Sequence, residues 1–222
     1  MRAFIADSTL VESESRELLK QIPASTRRRL SSYAKVLITA ILELSERHPQ
    51  LQYTPVILAT RHGDLHRTEK LLRELVRGEI LSPTQFALSV NNAVLGQYSM
   101  AVDNRQAMTT LSGGEQTYPL GWLEALSQLQ NEAEQVLLVY ADEVPPAVYS
   151  GQVNSPLKSF AQAVLLHREN GQELILDRRV EKESQLQDDV WQVANSVQQM
   201  LDAGDGTVRK DYNGVRWSWH VA

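Results

Sequence analysis

The chain has 222 residues, 42% apolar and 22% charged, enough for one substantial globular domain or at most two small ones and unlike a disordered or fibrous chain. A net charge of −5 and a pI near 5.6 give no basic field for nucleic acid, and no apolar run approaches the roughly 18–20 residues that span a bilayer. The absence of cysteine excludes disulfides, thiolate metal sites and a cysteine nucleophile, and the acidic stretch MRAFIADSTLVESESRELL lacks a basic n-region and a long apolar h-region, so no signal peptide and a cytoplasmic location are expected.

RAFIADSTLV opens a short strand. Leu30, Ala34, Leu37, Ile38, Ile41 and Leu44 recur at helical spacing and predict a helix from about Ser31 to His48. PVILAT is a continuous apolar run of the kind buried on both faces of a parallel sheet. It feeds the turn RHGD and a helix, LHRTEKLLRELVRG, closed by Gly78. SPTQFALSVNNAVLGQYSMAV predicts one helix, RQAMTTL a strand, GEQTYPLGWLEALSQLQN a helix, and EQVLLVYADE a second buried strand. After the loop VPPAVYSGQVNSP, two apolar runs flank Asn170-Gly171 and predict an antiparallel hairpin. SQLQDDVWQVANSVQQMLDAG predicts an amphipathic helix with Leu186, Val190, Val193, Val197, Met200 and Leu201 on one face and Gly204 at its end, and GVRWSWHVA alternates into a last strand. Strands alternating with helices, followed by antiparallel elements, predict one α/β domain.

The candidate sites are sparse. His62 and His66 lie four apart around Asp64, but without the spacing of a zinc motif they read as a surface turn, and no metal or cofactor is expected. Arg27–Arg29 read as a solvated helix start. The carboxylate pair Asp188-Asp189 reads as a helix cap, while Asp142-Glu143 falls on a strand end. The most suggestive stretch is TTLSGGEQTYPLGWLEAL: a strand end, a Gly-Gly turn and a helix, the shape of a nucleophile elbow. It matches neither the P-loop nor the G-x-S-x-G pattern. Ser112-Gly-Gly-Glu115 reads instead as a capping box, with Ser112 accepting the N–H of Glu115 and Glu115 reaching back to the N–H of Ser112.

The order of these stretches resembles the β-ketoacyl synthases. ILSPTQFALSVNNAVLGQYSMA is similar to their Ser-Pro and aromatic segment running into an Asn-x-x-x-Gly helix, here Asn92 and Gly96. PVILATRHGDLHRTEKLL resembles their buried strand, glycine turn and helix, RRRLSSYAKVLITAILEL their early helix, and TTLSGGEQTYPLGWLEAL their nucleophile strand and helix. The chain up to about Glu143 thus resembles the N-terminal half of a ketosynthase. The nearest group is the half-length chain-length factors of type II polyketide systems such as those making aryl polyenes.

The resemblance implies a single domain over residues 1–222. Residues 1–143 would form the N-terminal half of a thiolase-like fold, with a mixed, mostly parallel sheet and helices. Residues 144–222 would add an antiparallel hairpin, a helix and a strand. Carried without gaps from Asn92 and Gly96, it places the catalytic cysteine on Glu115, and shifts of one or two residues give Gly113, Gly114 or Gln116, none a thiol. No second half follows to supply the family's two histidines. A Claisen condensation needs a thiolate to carry the acyl chain and histidine donors for decarboxylation and the oxyanion, so no condensing activity is expected of this chain alone.

What the resemblance implies instead is a silent subunit that pairs with a full-length β-ketoacyl synthase and meets acyl carrier protein only indirectly. Its dimer edge would be the strand at about Arg105–Leu111, with Arg105, Met108 and Thr110 on it. Its contribution to the partner's acyl tunnel would come from Ser82–Ser89, with Thr84, Gln85, Phe86 and Leu88 bordering the pocket. An open strand edge is a liability that a partner would cover. Two other readings stand beside this one: an acyl-thioester hydrolase or acyltransferase acting through the Ser112/Glu115 elbow, and a scaffold without acyl contact.

Overall fold

The computed structural model describes residues 1–131, 133–149, 151–153, 156–180, 189–212 and 214–221. Strand β1 (Arg2–Val11) is followed by a short helix α1 (Ala24–Arg27) and by α2 (Ser32–Arg47). Ser31 caps α2 by accepting the N–H of Ala34 at 3.1 Å, and the apolar stripe read from the sequence is its buried face. β2 (Val56–Ala59), α3 (Leu65–Val76), α4 (Pro83–Ala87), α5 (Ala93–Val102), β3 (Met108–Leu111), α6 (Thr117–Asn131) and β4 (Gln135–Asp142) follow. The chain then runs through β5 (Phe160–His167), β6 (Gln172–Val180), α7 (Val190–Ala203), β7 (Gly206–Tyr212) and β8 (Val215–Val221).

The strands form one eight-stranded sheet in the order β3-β2-β4-β5-β1-β6-β8-β7. β3, β2 and β4 are parallel and every other neighbouring pair is antiparallel. Successive side chains of a strand point to opposite faces, so a strand covered on both must be apolar throughout. All four residues of β2 are buried for this reason. Val56 and Leu58 enter the core formed with α2 and α5, whereas Ile57 and Ala59 enter the core formed with α6 and α7. Gly121 lets α6 lie close on the sheet, because a Cβ there would stand 2.7 Å from the Ala59 Cβ.

Two expectations need correction. The stretch SPTQFALSVNNAVLGQYSMAV is two helices, α4 and α5, not one. The break at Leu88–Asn92 is stabilised by the Ser89 hydroxyl, which donates to the Phe86 carbonyl at 2.8 Å, and by Asn91, whose amide donates to Ser112 at 3.3 Å. Such local side-chain bonds compete with helix continuation. Asn170-Gly171 is not a hairpin turn. β5 and β6 lie on opposite sides of β1 and both run antiparallel to it, so the turn carries the chain across β1. Gly171 permits the crossing: its φ is +123° and a Cβ would sit 2.2 Å from the carbonyl oxygen of Ile5. The antiparallel hairpin is instead β7–β8, and β7, in GTVRKDY, is a strand that periodicity did not reveal. In the helix expected from SQLQDDVWQ, residues 184–188, including Leu186 and Asp188, lie outside the described residues; Asp189 caps α7 by accepting the N–H of Trp191 at 2.8 Å.

Strands from residues 1–143 and 144–222 thus share one sheet. The last two strands also meet the elbow helix. Trp217 and Trp219 of β8 are fully buried in the α6/α7 core, with Trp219 tilted against Tyr118 of α6 at a centroid distance of 5.6 Å.

Candidate functional site

Because β2, β3 and β4 are parallel, their C-terminal ends lie on one side of the sheet, the position at which open α/β sheets hold ligands. The segments leaving them are 60–64, 112–116 and 142–144. Gly63 and Asn91 are pressed together there: Gly63 has φ +62°, and a Cβ on it would collide with the Asn91 side chain.

The elbow has the expected course but other bonds. Ser112 does not cap the helix. Its hydroxyl donates to the carbonyl of Thr60 at 2.6 Å and accepts from Asn91, so it faces the end of β2. The cap position falls on Gly113, and Thr117 closes the turn by accepting the N–H of Gly113 at 2.9 Å and donating to the Gly114 carbonyl at 2.6 Å. The reason is Gly114, whose φ of +61° tightens the chain into a 3-10 turn before the helix proper and takes Ser112 out of capping range. The carboxylate of Glu115 lies 3.9 Å from the Arg61 guanidinium across the turn. A Cβ on Gly113 would stand 2.3 Å from Leu120 Cδ1, so a side chain there would have to displace that methyl group. Gln116 accepts the indole N–H of Trp217 at 3.1 Å. Ser112, committed to a backbone carbonyl, has no bonded base among the described residues.

Beside the elbow is a buried acidic cluster that the sequence did not reveal as a unit. Asp142 is 1% exposed and Glu143 and Asp64 are each 6% exposed. Asp142 accepts from Thr60 Oγ1 (3.2 Å), Arg61 N (3.0 Å), His62 N (3.3 Å) and the Tyr140 hydroxyl (2.5 Å). Burial pushes its carboxyl above the usual range against these bonds. Burial also raises Glu143 to about 7, and lowers His62, whose half-buried ring is opposed by Asp142. RHGD is therefore no simple surface turn: Asp64 caps α3, His62 is half-buried, and His66 stays exposed. The signal available in the sequence was the Asp-Glu pair directly after a wholly apolar strand, where ionised groups are rarely buried without partners.

The sheet has two edges. β7 carries Arg209, Lys210 and Asp211, charges that discourage edge-to-edge pairing. β3 reads Met-Thr-Thr-Leu and carries none. The N–H of Val56 donates to Ala107 O (3.0 Å) and that of Thr60 to Leu111 O (3.1 Å), so the period of two aims the backbone groups of Met108 and Thr110 away from β2. Arg105 lies outside the strand, correcting the expected start. Buried Asn104 donates to Leu51 O and Thr54 O and turns the chain, while Arg105 pairs with Asp103 at 2.9 Å. Arg105 and Met108 nevertheless border one cavity of about 290 Å³ between α5 and β3. Of the segment expected to reach a partner, Thr84 and Phe86 are exposed, Phe86 by 62%, and Gln85 and Leu88 are half-buried. Met100 of α5 is 78% exposed.

A family model described as "Beta-ketoacyl synthase, N-terminal domain" matches residues 5–220, running past Glu143 to the last strand. No curated protein matches. Among solved structures the chain is similar to one in the complex of the ketosynthase ApeO with its chain length factor ApeC from Xenorhabdus doucetiae, at 24% identity and TM-score 0.79, covering 99% of each chain. It is similar to the ishigamide ketosynthase/chain length factor at 15% identity and TM-score 0.60, where it covers 74% of its own length and 53% of the other's. It also resembles AntDE:AntF, a type II acyl-carrier protein in complex with its ketosynthase, at 14% identity and TM-score 0.58, over 90% and 73% of the two chains. At these identities the likeness is one of fold. Among the described residues no helix is long and apolar enough to cross a membrane.

Proposed function

The chain belongs to the β-ketoacyl synthase N-terminal domain family, and from that premise we propose that it is a non-catalytic chain-length factor. It pairs with a full-length β-ketoacyl synthase and supplies part of the wall of its acyl tunnel, in cytoplasmic type II polyketide synthesis of the aryl polyene kind. The observation that carries this reading is an elbow without a nucleophile at the end of an uncharged, open edge strand. Residues 112–116 offer no thiol, their one hydroxyl is bonded to Thr60, and their one carboxylate faces Arg61. On this reading the thiolate that carries the acyl chain comes from the ketosynthase, since the chain has no cysteine.

The geometry of the edge supports that partnership. The backbone groups of Met108 and Thr110 face away from β2, and exposed Phe86 of α4 and Met100 of α5 add apolar surface. The likeness, over 99% of both lengths, to a chain of a ketosynthase–chain length factor complex supports a half-length fold of this kind in such an assembly. Within the proposed pair Thr84, Gln85, Phe86 and Leu88 border the partner's tunnel. Strand β8 packs on the elbow helix through Trp217 and Trp219, and acyl carrier protein is engaged through the ketosynthase. Co-expression with a full-length ketosynthase, followed by sedimentation analysis, tests the partnership. A stable heterodimer, with an interface of roughly 1,200–2,000 Å² or more, is expected. A monomer that ignores the ketosynthase overturns the reading.

A further inference from the structure

Of the eleven glycines in the chain, ten have a local reason to be glycine. Eight hold a positive φ, where a side chain is strained. The other two are crowded: a Cβ would stand 2.3 Å from the Leu120 side chain at Gly113 and 2.7 Å from the Ala59 Cβ at Gly121. Gly96 has neither reason. It lies inside α5, and a Cβ built on it meets no atom within 4 Å beyond its chain neighbours and its own helix backbone. A glycine inside a helix is destabilising relative to alanine, because it has more backbone freedom to lose. Nothing packed around Gly96 in this chain offsets that loss.

Gly96 is exposed and lines the cleft of about 290 Å³ between α5 and β3, together with Leu95, Ser99, Asn104, Arg105 and Met108. The polar walls of that cleft are bonded within the chain. The Ser99 hydroxyl donates to the Asn104 carbonyl at 2.7 Å. The Asn104 amide donates to the carbonyls of Leu51 and Thr54, and its side-chain oxygen accepts the N–H of Gln106 at 2.9 Å. Arg105 is paired with Asp103. An apolar side chain entering beside Leu95 and Met108 breaks none of these bonds, so the cleft suits apolar contact.

Met108 belongs both to the cleft and to the open edge. A strand bonded to the outward backbone groups of Met108 and Thr110 would run about 4.7–4.9 Å from β3. Its alternate side chains would point to the α5 side, as Met108 does, and so stand at the mouth of the cleft. We propose that the cleft is a socket for one apolar side chain of the ketosynthase, carried on the strand that pairs with β3, and that Gly96 leaves the room which that side chain fills. The socket rests on the partnership proposed above and adds selectivity to it. Backbone bonds along an edge can be made by any strand, whereas a filled socket admits a particular side chain at one register.

The test compares the wild type with Gly96→Ala and Gly96→Leu, first alone and then with the full-length ketosynthase. Alanine and leucine are better helix formers than glycine and the Cβ has open space, so the melting temperature of the isolated chain should stay the same or rise in both variants. In titration calorimetry with the ketosynthase, Gly96→Leu fills the socket and should raise Kd by about tenfold or more, with a smaller rise for Gly96→Ala. A lowered melting temperature in Gly96→Ala would mean that this chain itself needs the glycine, and would overturn the socket. Wild-type affinity in Gly96→Leu would overturn it as well. In that case a loss of binding in Thr110→Pro would leave the edge pairing standing without the socket. A wild-type chain that does not bind the ketosynthase overturns both.

Discussion

The indole N–H of Trp217, in the last strand, donates to the side-chain oxygen of Gln116 at the elbow across 3.1 Å. With Trp219 packed on Tyr118, this contact makes the C-terminal strands a cover for the elbow helix. Trp219→Ala should therefore cost about 3–5 kcal/mol, as expected for a large aromatic removed from a core. Trp217→Phe keeps most of the apolar volume and should cost only about 0.5–1.5 kcal/mol for the lost hydrogen bond. Urea denaturation of the two variants measures both, and similar small losses would mean that β7–β8 is peripheral to the fold.

The elbow is held by Thr117 and not by a Ser112/Glu115 box. Thr117→Val should destabilise the chain by about 0.5–2 kcal/mol, the usual cost of a lost cap. Ser112→Ala and Glu115→Gln should leave product formation by the reconstituted pair within about twofold of the wild type, a change of under 1 kcal/mol in barrier. Collapse of turnover in either variant, with circular dichroism unchanged, would assign chemistry to the elbow.

The open edge gives a third expectation. The N–H of Thr110 faces away from β2, so Thr110→Pro removes an edge donor without breaking the β2–β3 ladder. The dissociation constant of the complex with the ketosynthase should rise by about tenfold or more, equivalent to 1.4 kcal/mol. Arg209→Ala, at an exposed position of the charged edge β7, should leave it unchanged. Equal effects at the two edges, read by titration calorimetry, would remove β3 from the interface.

Much of this architecture is legible in the sequence where periodicity is strong. The stripe of α2 and the unbroken runs of β2 and β4 admit one reading, because burial on one helical face or on both faces of a sheet dictates residue type. What escaped is non-local. Asn170-Gly171 has the local chemistry of a hairpin, and only the insertion of β1, from the far end of the chain, makes it a crossing. Ser112 three residues before Glu115 has capping-box spacing, but the bond it makes, to Thr60, is 52 residues away. The acidic cluster at Asp64, Asp142 and Glu143 likewise joins segments that only the parallel strand order brings together. Thr84, Gln85, Phe86 and Leu88 were reached through resemblance, and nothing in their spacing alone distinguishes them from an ordinary exposed helix.

Product chain length is the property that the proposed role must control. If Gln85, Phe86 and Leu88 border the end of the partner's acyl tunnel, their volume sets where growth stops. Overpacking costs about 1–3 kcal/mol, or roughly one to two decades in rate. The decisive measurement is mass spectrometry of carrier-bound intermediates made by the reconstituted pair with Gln85→Ala, Phe86→Ala or Leu88→Trp. Longer products are expected from the first two and shorter ones from the third, with the early condensations near the normal rate because the proposal assigns the nucleophile to the partner. An unchanged distribution in all three, with the complex intact, would contradict the role in length control.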